Sequence, residues 1–267
     1  MRSTPSKYAG CGNSFLLIDQ RDCSALPALS WIVEACQQEG VDGVIFLEKS
    51  AKADYKMRIF NSDASEAEMC GNGLRCLGRF IEEKGEKRKR FTVESLFGVH
   101  AIELLDDQVK VQLGTPKQVE KELSLNLKEG KETISSLDTG VPHAVLFVAD
   151  LEAVDVADLG EQVRHHPRFF PRGTNANFVI KTGDQSISLR TFERGVEAET
   201  LACGTGAAAS AIAASWKWGL KSPIVVETRS GEKLTVEFQT DPHGKISNLT
   251  QQGPVKKLSL RTQKVKN

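Results

Sequence analysis

Two short segments of the chain decide its fold: Met69-Cys70-Gly71-Asn72-Gly73 and Ala202-Cys203-Gly204-Thr205-Gly206. Each follows a stretch typical of a β-strand and precedes one typical of a helix. Each of those strands carries an Arg-x-Phe tripeptide, beginning at Arg58 and at Arg190. The two cysteines lie 133 residues apart and the two arginines 132, in a chain of 267. Because an offset of half the chain is the sign of an internal repeat, the sequence predicts two similar domains.

Alternating strand and helix patterns surround both segments. Helices with an apolar stripe are predicted from Leu26 to Glu39 and from Leu151 to His165. Helices that open with glycine are predicted from Cys70 to Gly85 and from Gly204 to Trp218. Strands are predicted at 15–18, 41–47, 56–61, 91–94, 99–104, 109–113, 144–148, 177–181, 186–192, 224–227, 233–238 and 245–249.

The predicted domain boundary is Gly114-Thr115-Pro116, a cluster of residues that interrupt regular structure. The first domain is therefore expected to span 1–115 and the second 116–252, with the tail 253–267 returning to the first. Two similar halves suggest a ligand site in the cleft between them. The small residues from Gly206 to Ala214 predict a helix packed tightly inside its sheet.

The composition excludes several classes of protein. Lys plus Arg and Asp plus Glu each number 35, so a net charge of zero provides no general attraction to nucleic acid or anionic membranes. No apolar stretch approaches the ~18–20 residues of a membrane helix, and the first residues lack the apolar core of a signal peptide. These features favour a cytoplasmic protein. The six cysteines lack metal-ligand spacing, so no metal is expected.

The positions of Cys70 and Cys203, each just before a helix, indicate acid–base chemistry. The first turn of a helix presents unpaired N–H groups and partial positive charge, which lower a thiol pKa from about 8.5 and can also hold a carboxylate. If the two thiols face opposite sides of a Cα, one as thiolate can remove the α-proton. The other can then deliver a proton to the opposite face, which inverts the stereocentre.

The chain resembles diaminopimelate epimerases over nearly its whole length. Besides the two cysteine segments, the resemblance is carried by Gly12-Asn13-Ser14-Phe15, Val41-Asp42-Gly43, Arg58-Ile59-Phe60-Asn61, Gly140-Val141-Pro142-His143, Gly173-Thr174-Asn175-Ala176-Asn177-Phe178 and Glu193-Arg194-Gly195-Val196. It implies an α+β fold of two pseudo-symmetric domains, each a mostly antiparallel sheet around a central helix, with the active site in the interdomain cleft. It also implies an isomerase that converts L,L-diaminopimelate to meso-diaminopimelate for lysine and peptidoglycan precursor synthesis.

The resemblance further implies a role for individual residues. Cys70 and Cys203 are the acid–base pair, and His143 and Glu193 tune the thiol pKa values, each as the neighbouring base of one cysteine. The substrate-binding residues are Asn13 near the reacting head, Gly71, Asn72, Gly204 and Thr205 at the α-carboxylate, and Asn61, Asn175, Glu193 and Arg194 at the distal group. The resemblance implies no cofactor. The expected partners are a small amino acid and, because family members often pair, a second copy in a homodimer.

Three departures from the family pattern concern substrate fit. Val141 stands where the family usually has asparagine, Ser14 stands where it often has aspartate, and the loop after Arg194 is one residue longer and adds Glu197. A valine side chain neither donates nor accepts a hydrogen bond. The departures predict that the enzyme accepts a broader range of substrates, with a shorter acidic amino acid such as glutamate as a secondary substrate.

Four alternatives use the same observations. A thiol racemase of glutamate, aspartate or a proline-like imino acid shares the cysteine pair, but Asn72 with Glu193 and Arg194 favours a substrate with a second polar head. A two-domain amino acid binding protein leaves the paired thiols without a role. A redox switch requires a reversible Cys70–Cys203 disulfide. A pyridoxal enzyme requires a Schiff-base lysine, and the sequence by itself does not exclude one.

Overall fold

The computed structural model describes residues 4–23 and 25–261. The chain folds into two compact units. The first comprises the described residues up to Val111 together with those from Pro254 to Arg261, and the second comprises Gln112–Gly253. The predicted domains, 1–115 and 116–252 with a returning tail, divide the chain near the same points. Residues 262–267 of that tail lie outside the described residues.

The first unit contains an outer helix, α1 (Leu29–Glu39), and a central helix, α2 (Gly71–Glu83). Its strands are β1 (Ser6–Gly10), β2 (Asn13–Asp19), β3 (Gly43–Glu48), β4 (Tyr55–Asn61), β5 (Glu66–Ala67), β6 (Arg90–Glu94), β7 (Val99–Leu104), β8 (Gln108–Gly114), which crosses the boundary, and the late strand β18 (Lys256–Leu258).

The second unit contains an outer helix, α3 (Val156–Arg164), a central helix, α4 (Gly204–Trp218), and a short 3-10 helix at Pro167–Phe169. Its strands are β9 (Lys117–Leu127), β10 (Gly130–Asp138), β11 (Pro142–Phe147), β12 (Asn175–Gly183), β13 (Ser186–Glu193), β14 (Ala198–Thr200), β15 (Ile224–Glu227), β16 (Lys233–Thr240) and β17 (Ile246–Pro254).

The two units have the same strand connections. In the first, β2 and β3 are parallel and joined through α1, and β4 and β6 are parallel and joined through α2. In the second, β11 and β12 are parallel and joined through α3, and β13 and β15 are parallel and joined through α4. The hairpins around these crossovers are antiparallel in both units. This confirms the predicted α+β fold of two related, mostly antiparallel domains.

One helix lies at the centre of each unit. Helix α4 is buried from Gly204 to Ala214, a run dominated by alanine, and packs against β10 to β13, β15 and β16. Helix α2 packs against β1 to β4 and β7. A Cβ placed on Gly78 would lie 3.0 Å from Ile102 and 3.1 Å from Val109. Small side chains therefore let the strands approach closely along α4 and, in α2, at Gly78.

Both faces of the inner strands are covered. In β2 and β3 a continuous apolar run, Leu16 to Ile18 and Val44 to Leu47, is buried. Alternate residues pack beneath α1, and the others face the central helix, as Ile45 does. In the second unit α3 covers an equivalent cluster that includes Ala144, Ala176, Phe178 and Phe192. Side chains that alternate with these face α4, where the site is built.

The structure corrects two helix boundaries and adds one hairpin. Helix α1 starts at Leu29, not Leu26, because Pro27 precedes its N-cap residue, Ala28. Helix α3 starts at Val156, not Leu151, because the Asp155 side chain caps it by accepting from two backbone N–H groups. The β9–β10 hairpin was not predicted at all. A signal for it was available, because Leu123, Leu125 and Leu127 alternate with polar residues in β9. The first half of β10 is exposed and the second half is mostly buried.

No helix within residues 4–23 and 25–261 has the length and apolar character needed to cross a membrane. In the same part of the chain no cluster of three or more His, Cys, Asp or Glu side chains is arranged to hold a metal ion.

Candidate active site

Cys70 and Cys203 occupy the same position in their respective units. Each is the N-cap residue of a central helix, with extended backbone angles of φ −145°, ψ 117° and φ −121°, ψ 109°. The thiol of Cys70 accepts from the Gly73 N–H at 3.4 Å, and the thiol of Cys203 accepts from the Gly206 N–H at 3.4 Å. Each sulfur thus lies at the positive end of a helix dipole, where a thiolate is stabilised.

An arginine–glutamate pair supports each cysteine loop. Arg58 binds Glu66 through two hydrogen bonds of 2.7 and 2.8 Å, and Arg190 binds Glu199 through two of 2.7 Å. Each glutamate lies four residues before its cysteine. Both pairs have the planar, bidentate geometry that favours arginine over lysine.

These pairs correct the alignment of the repeat. The sequence comparison matches Glu66-Ala67-Glu68 with Glu197-Ala198-Glu199, by residue type. In the sheets, however, Phe60 pairs with Glu66 and Phe192 pairs with Glu199, so Glu199 is the structural equivalent of Glu66. The extra residue of the second half therefore lies in the turn before β14.

We expect Arg190→Lys to destabilise the protein more than Arg58→Lys. Arg190 is 12% exposed and also donates to the carbonyls of Leu151 and Val154, whereas Arg58 is 28% exposed. Lysine retains the charge but loses the bidentate geometry. The expected loss in free energy of unfolding, measured in urea, is about 1–3 kcal/mol for Arg190→Lys and below about 1 kcal/mol for Arg58→Lys. Equal losses would contradict this.

In the first unit, Asn72 connects the cysteine loop to the start of β2. Its side-chain N–H donates to Asn13 Oδ1 at 2.6 Å, and its Oδ1 accepts from Arg75 at 2.7 Å. Arg75 is fully buried and is the largest side chain in the interior. The structure thus brings Asn13, Asn72 and the Cys70 loop together, and their contact with substrate stays a prediction. The contribution of Arg75 was not predicted from the sequence.

Asn61 ends β4 and closes a turn. Its backbone N–H donates to the Ser65 carbonyl at 2.9 Å, and its side-chain N–H donates to the Ser65 hydroxyl at 3.0 Å. The side chain is exposed, and the described contacts give it a turn-closing role. Its predicted contact with the distal substrate group stays a prediction.

In the second unit, His143 reaches the cysteine through Thr205. The His143 Nε2 lies 2.9 Å from Thr205 Oγ1, and Thr205 Oγ1 lies 3.6 Å from the Cys203 sulfur. Complete burial lowers the pKa of His143 to about 3, with a smaller contribution from the charge of Arg194. At neutral pH the ring is therefore uncharged.

Asn177 and Thr191 lie behind His143 and were not among the predicted site residues. The Asn177 side-chain nitrogen lies 3.2 Å from His143 Nδ1 and donates to the Ala144 carbonyl at 3.0 Å, and the Asn177 oxygen accepts from Thr191 at 3.0 Å. The signal for Asn177 was available, because it lies two residues after Asn175 on the same face of a strand.

The residues predicted to bind the distal group hold one another in place. Asn175 donates to the Pro142 carbonyl at 3.0 Å and accepts from the Arg194 backbone N–H at 2.8 Å. The Glu193 carboxylate accepts from the Thr200 hydroxyl at 2.8 Å. These contacts place an amide, a carboxylate and a guanidinium near the end of β13, but binding of substrate by them stays a prediction.

The inserted Glu197 is paired. Its carboxylate accepts from Arg164 at 2.9 Å, lies 3.6 Å from His165 and accepts from the Gly195 N–H at 2.9 Å. The surrounding charges therefore compensate the charge that this insertion adds. Ser14, the second departure, donates from its backbone and its hydroxyl to Asp42 at 2.7 and 3.2 Å.

Solved structures with this fold include a phenazine biosynthesis protein and a hydroxyproline epimerase, both at low sequence identity. A phenazine biosynthesis protein of the PhzF family from Bacillus anthracis matches with a TM-score of 0.73 and 17% identity, covering 96% of each chain. A hydroxyproline epimerase from Agrobacterium vitis matches with a TM-score of 0.72 and 15% identity, covering 98% of this chain and 93% of that one. At such identities the likeness establishes the fold alone.

Sequence relatives are much closer. The diaminopimelate epimerase of Aquifex aeolicus is 44% identical over 254 residues, covering 88% of this chain and 90% of that protein. The diaminopimelate epimerase of Archaeoglobus fulgidus is 38% identical over 259 residues, covering 90% and 91%. The sequence model of the diaminopimelate epimerase family matches residues 5–119 and 135–258. The chain, with its duplicated fold and its two helix-capping cysteines, therefore belongs to the diaminopimelate epimerase family.

Proposed function

We propose that this protein interconverts L,L- and meso-diaminopimelate, with Cys70 and Cys203 as the two acid–base groups. The observation that carries the proposal is the identical placement of the two thiols, each as the N-cap of a central helix and each accepting a backbone N–H at 3.4 Å. A reaction whose forward and reverse steps are equivalent requires two equivalent acid–base groups. Membership of the family supports diaminopimelate as the substrate.

In the proposed reaction one cysteine begins as thiolate and the other as thiol. The thiolate takes the α-proton, and the C–H electron pair moves onto the α-carbon and its carboxylate. The second thiol then gives its proton to the opposite face of that carbon. The first sulfur ends as thiol and the second as thiolate, so the enzyme is ready for the reverse reaction and no net proton is consumed.

The α-carboxylate is proposed to bind at the helix starts. Intrahelical geometry leaves the first N–H groups of a helix without acceptors, which assigns those of Gly71 and Asn72 in α2 and of Gly204 and Thr205 in α4 to this role. Fixed N–H dipoles stabilise the additional negative charge that develops on the carboxylate during proton removal. Both proton transfers are assigned to thiols, so the proposal involves no cofactor.

The proposal also covers the ligand, the assembly and the cellular compartment. We propose a small amino acid as the ligand, a homodimer as the assembly and the cytoplasm as the compartment of the reaction, as in lysine and peptidoglycan precursor synthesis.

The runner-up function is a cofactor-independent racemase of glutamate or aspartate. It is favoured by one observation, the presence of Val141 where an asparagine would bind the distal group.

The proposal is tested by incubating the pure protein with L,L-diaminopimelate in D2O and following the α-proton signal and the appearance of the meso isomer by NMR. The expected result is conversion, with deuterium entering at the inverted carbon. Absence of both conversion and exchange with diaminopimelate would remove the proposed function. Conversion of glutamate at a higher kcat/KM than diaminopimelate would establish the runner-up.

Val141 is expected to broaden substrate range. L-Glutamate lacks the second amino acid head, so its binding loses no free energy from the absence of an asparagine at position 141. We therefore expect slow α-proton exchange of L-glutamate above the background of Cys70→Ser. Val141→Asn is expected to lower the KM for diaminopimelate by about 5- to 150-fold, because a restored hydrogen bond to a charged group contributes roughly 1–3 kcal/mol. Exchange of glutamate in D2O and steady-state kinetics measure the two effects. Unchanged KM in Val141→Asn would show that another group already supplies that contact.

A further inference from the structure

The two units differ at three equivalent positions on the strands beneath the cysteine helices. In the first unit these positions hold Phe15, Ile45 and Ile59, which are buried and apolar. In the second unit the same register positions hold His143, Asn177 and Thr191, which are equally buried and polar. Because the same topology forms with apolar residues, the fold itself does not require the polar set.

The neighbouring glycines confirm the equivalence. A Cβ on Gly73 would contact Ile45 and Ile59, and a Cβ on Gly206, three residues after Cys203, would contact Asn177. Burying polar groups costs free energy unless they are hydrogen-bonded to one another. In the second unit the buried polar side chains lie directly beneath Cys203. Their position indicates that they act on that cysteine.

The contacts determine which way the Asn177 amide points. A backbone carbonyl can only accept, so the Asn177 atom 3.0 Å from the Ala144 carbonyl is the nitrogen. The Asn177 oxygen then faces the Thr191 hydroxyl, which donates to it at 3.0 Å. The same amide nitrogen lies 3.2 Å from His143 Nδ1. A donor at that distance requires Nδ1 to be the unprotonated, accepting nitrogen.

The proton of the neutral ring therefore lies on Nε2. That N–H donates to Thr205 Oγ1, 2.9 Å away, and occupies a lone pair of the hydroxyl oxygen. The hydroxyl proton of Thr205 is then available for the Cys203 sulfur, 3.6 Å away. Together with the Gly206 N–H, it gives that sulfur a second donor that favours the thiolate form.

We propose that Asn177, anchored by Thr191, is a positioning residue that holds His143 in the Nε2–H form and so directs the Thr205 hydroxyl toward Cys203. This inference rests on the proposed function, and it gives His143 a route to Cys203 as a hydrogen-bond donor acting through Thr205. Arg194 is the charged group whose field acts on His143, and it opposes a second proton on the ring. The first unit, with Phe15 in the equivalent place, has no such device at that position.

The first test observes the ring directly. Long-range 15N NMR of the histidine side chains distinguishes the two neutral forms, and His143→Gln identifies the signal of His143 among the five histidines. The wild-type protein is expected to show protonated Nε2 and unprotonated Nδ1. In Asn177→Asp a carboxylate replaces the amide nitrogen, and the expected result is a protonated Nδ1. A wild-type ring protonated at Nδ1 would overturn the inference.

The second test is the pH profile of kcat/KM. Asn177→Asp and Thr205→Val are both expected to move its acid limb upward by about one pH unit, because the thiolate loses a donor. The shift must be the same for both substrate isomers, since the equilibrium constant fixes the ratio of the two kcat/KM values. Thr205→Ser retains the hydroxyl and is expected to leave the acid limb at its wild-type pH, whatever the change in the size of kcat/KM. The control Asn126→Asp makes the same chemical change on exposed β9 and is expected to have no effect.

Different results would overturn the positioning role of Asn177 and the proposed epimerase function. A uniform loss of kcat/KM at all pH values, with the limb unmoved, would indicate a merely structural role and overturn the inference. If Asn177→Asp does not fold, the Thr205→Val and Thr205→Ser pair decides, and equal profiles for these two overturn it. Wild-type epimerisation by Cys203→Ser would instead overturn the proposed function, whatever form the NMR spectra assign to His143.

Discussion

Replacing Cys70 or Cys203 by serine is expected to reduce kcat for epimerisation by about 10²–10⁴-fold, the contribution typical of one general acid–base group. A serine hydroxyl is far less acidic than a thiol, so the variant lacks both a competent base on one face and a competent acid for the return step. Steady-state kinetics from both substrate isomers measures the loss. In the wild type, solvent deuterium is expected mainly in the product, because each face has its own proton donor.

Cys36 provides the matched control. It lies on the buried face of α1, and burial, with a smaller effect of Asp42, raises the pKa of its thiol to about 11. It therefore remains a thiol at neutral pH and takes no part in the proposed chemistry. Cys36→Ala is expected to retain kcat. Normal epimerisation by Cys203→Ser, or a loss in Cys36→Ala equal to that of the two serine variants, would contradict the two-base mechanism.

Gly206→Ala is expected to damage both stability and activity, although alanine is normally the better helix residue by about 1 kcal/mol. Its Cβ would overlap Asn177 Oδ1 and would lie 3.2 Å from the Cys203 sulfur. Asn177 has no room to yield, because Thr191 and the Ala144 carbonyl both hold its amide. Overpacking of this kind costs about 1–3 kcal/mol, and displacement of a reacting group by an ångström can lower the rate about 10²-fold. Urea unfolding and kcat measure the two effects.

The equivalent substitution in the first unit is the control. A Cβ on Gly73 would lie 3.0 Å from the end of Ile45 and 3.1 Å from the end of Ile59. Both are terminal methyl groups on flexible side chains, which can move by a few tenths of an ångström. Gly73→Ala is therefore expected to cost less than about 1 kcal/mol. A larger loss of stability in Gly73→Ala than in Gly206→Ala would contradict this account of the second unit.

Much of the fold could be predicted because the same pattern occurs in both halves of the sequence. The Cys-Gly-x-Gly segments, their offset and the small-residue run after Gly206 indicate two domains with central helices, and the structure has both. The alignment between the halves differs from the one that matching residue types give, which places Glu66 against Glu197. Only the pairing of Phe192 with Glu199 identifies the true equivalent. The β9–β10 hairpin was missed even though Leu123, Leu125 and Leu127 alternate with polar residues in β9.

The same division applies to the candidate site. The sequence by itself determined the repeat, the two N-cap cysteines and the family, because each is recognised from short runs of consecutive residues. Only the tertiary structure decided that His143, Asn177, Thr191 and Thr205 form one hydrogen-bonded chain ending at Cys203. These residues lie on four separate elements. The direction of each donor follows from distances between side chains that sequence spacing does not contain, and from the fact that a carbonyl can only accept.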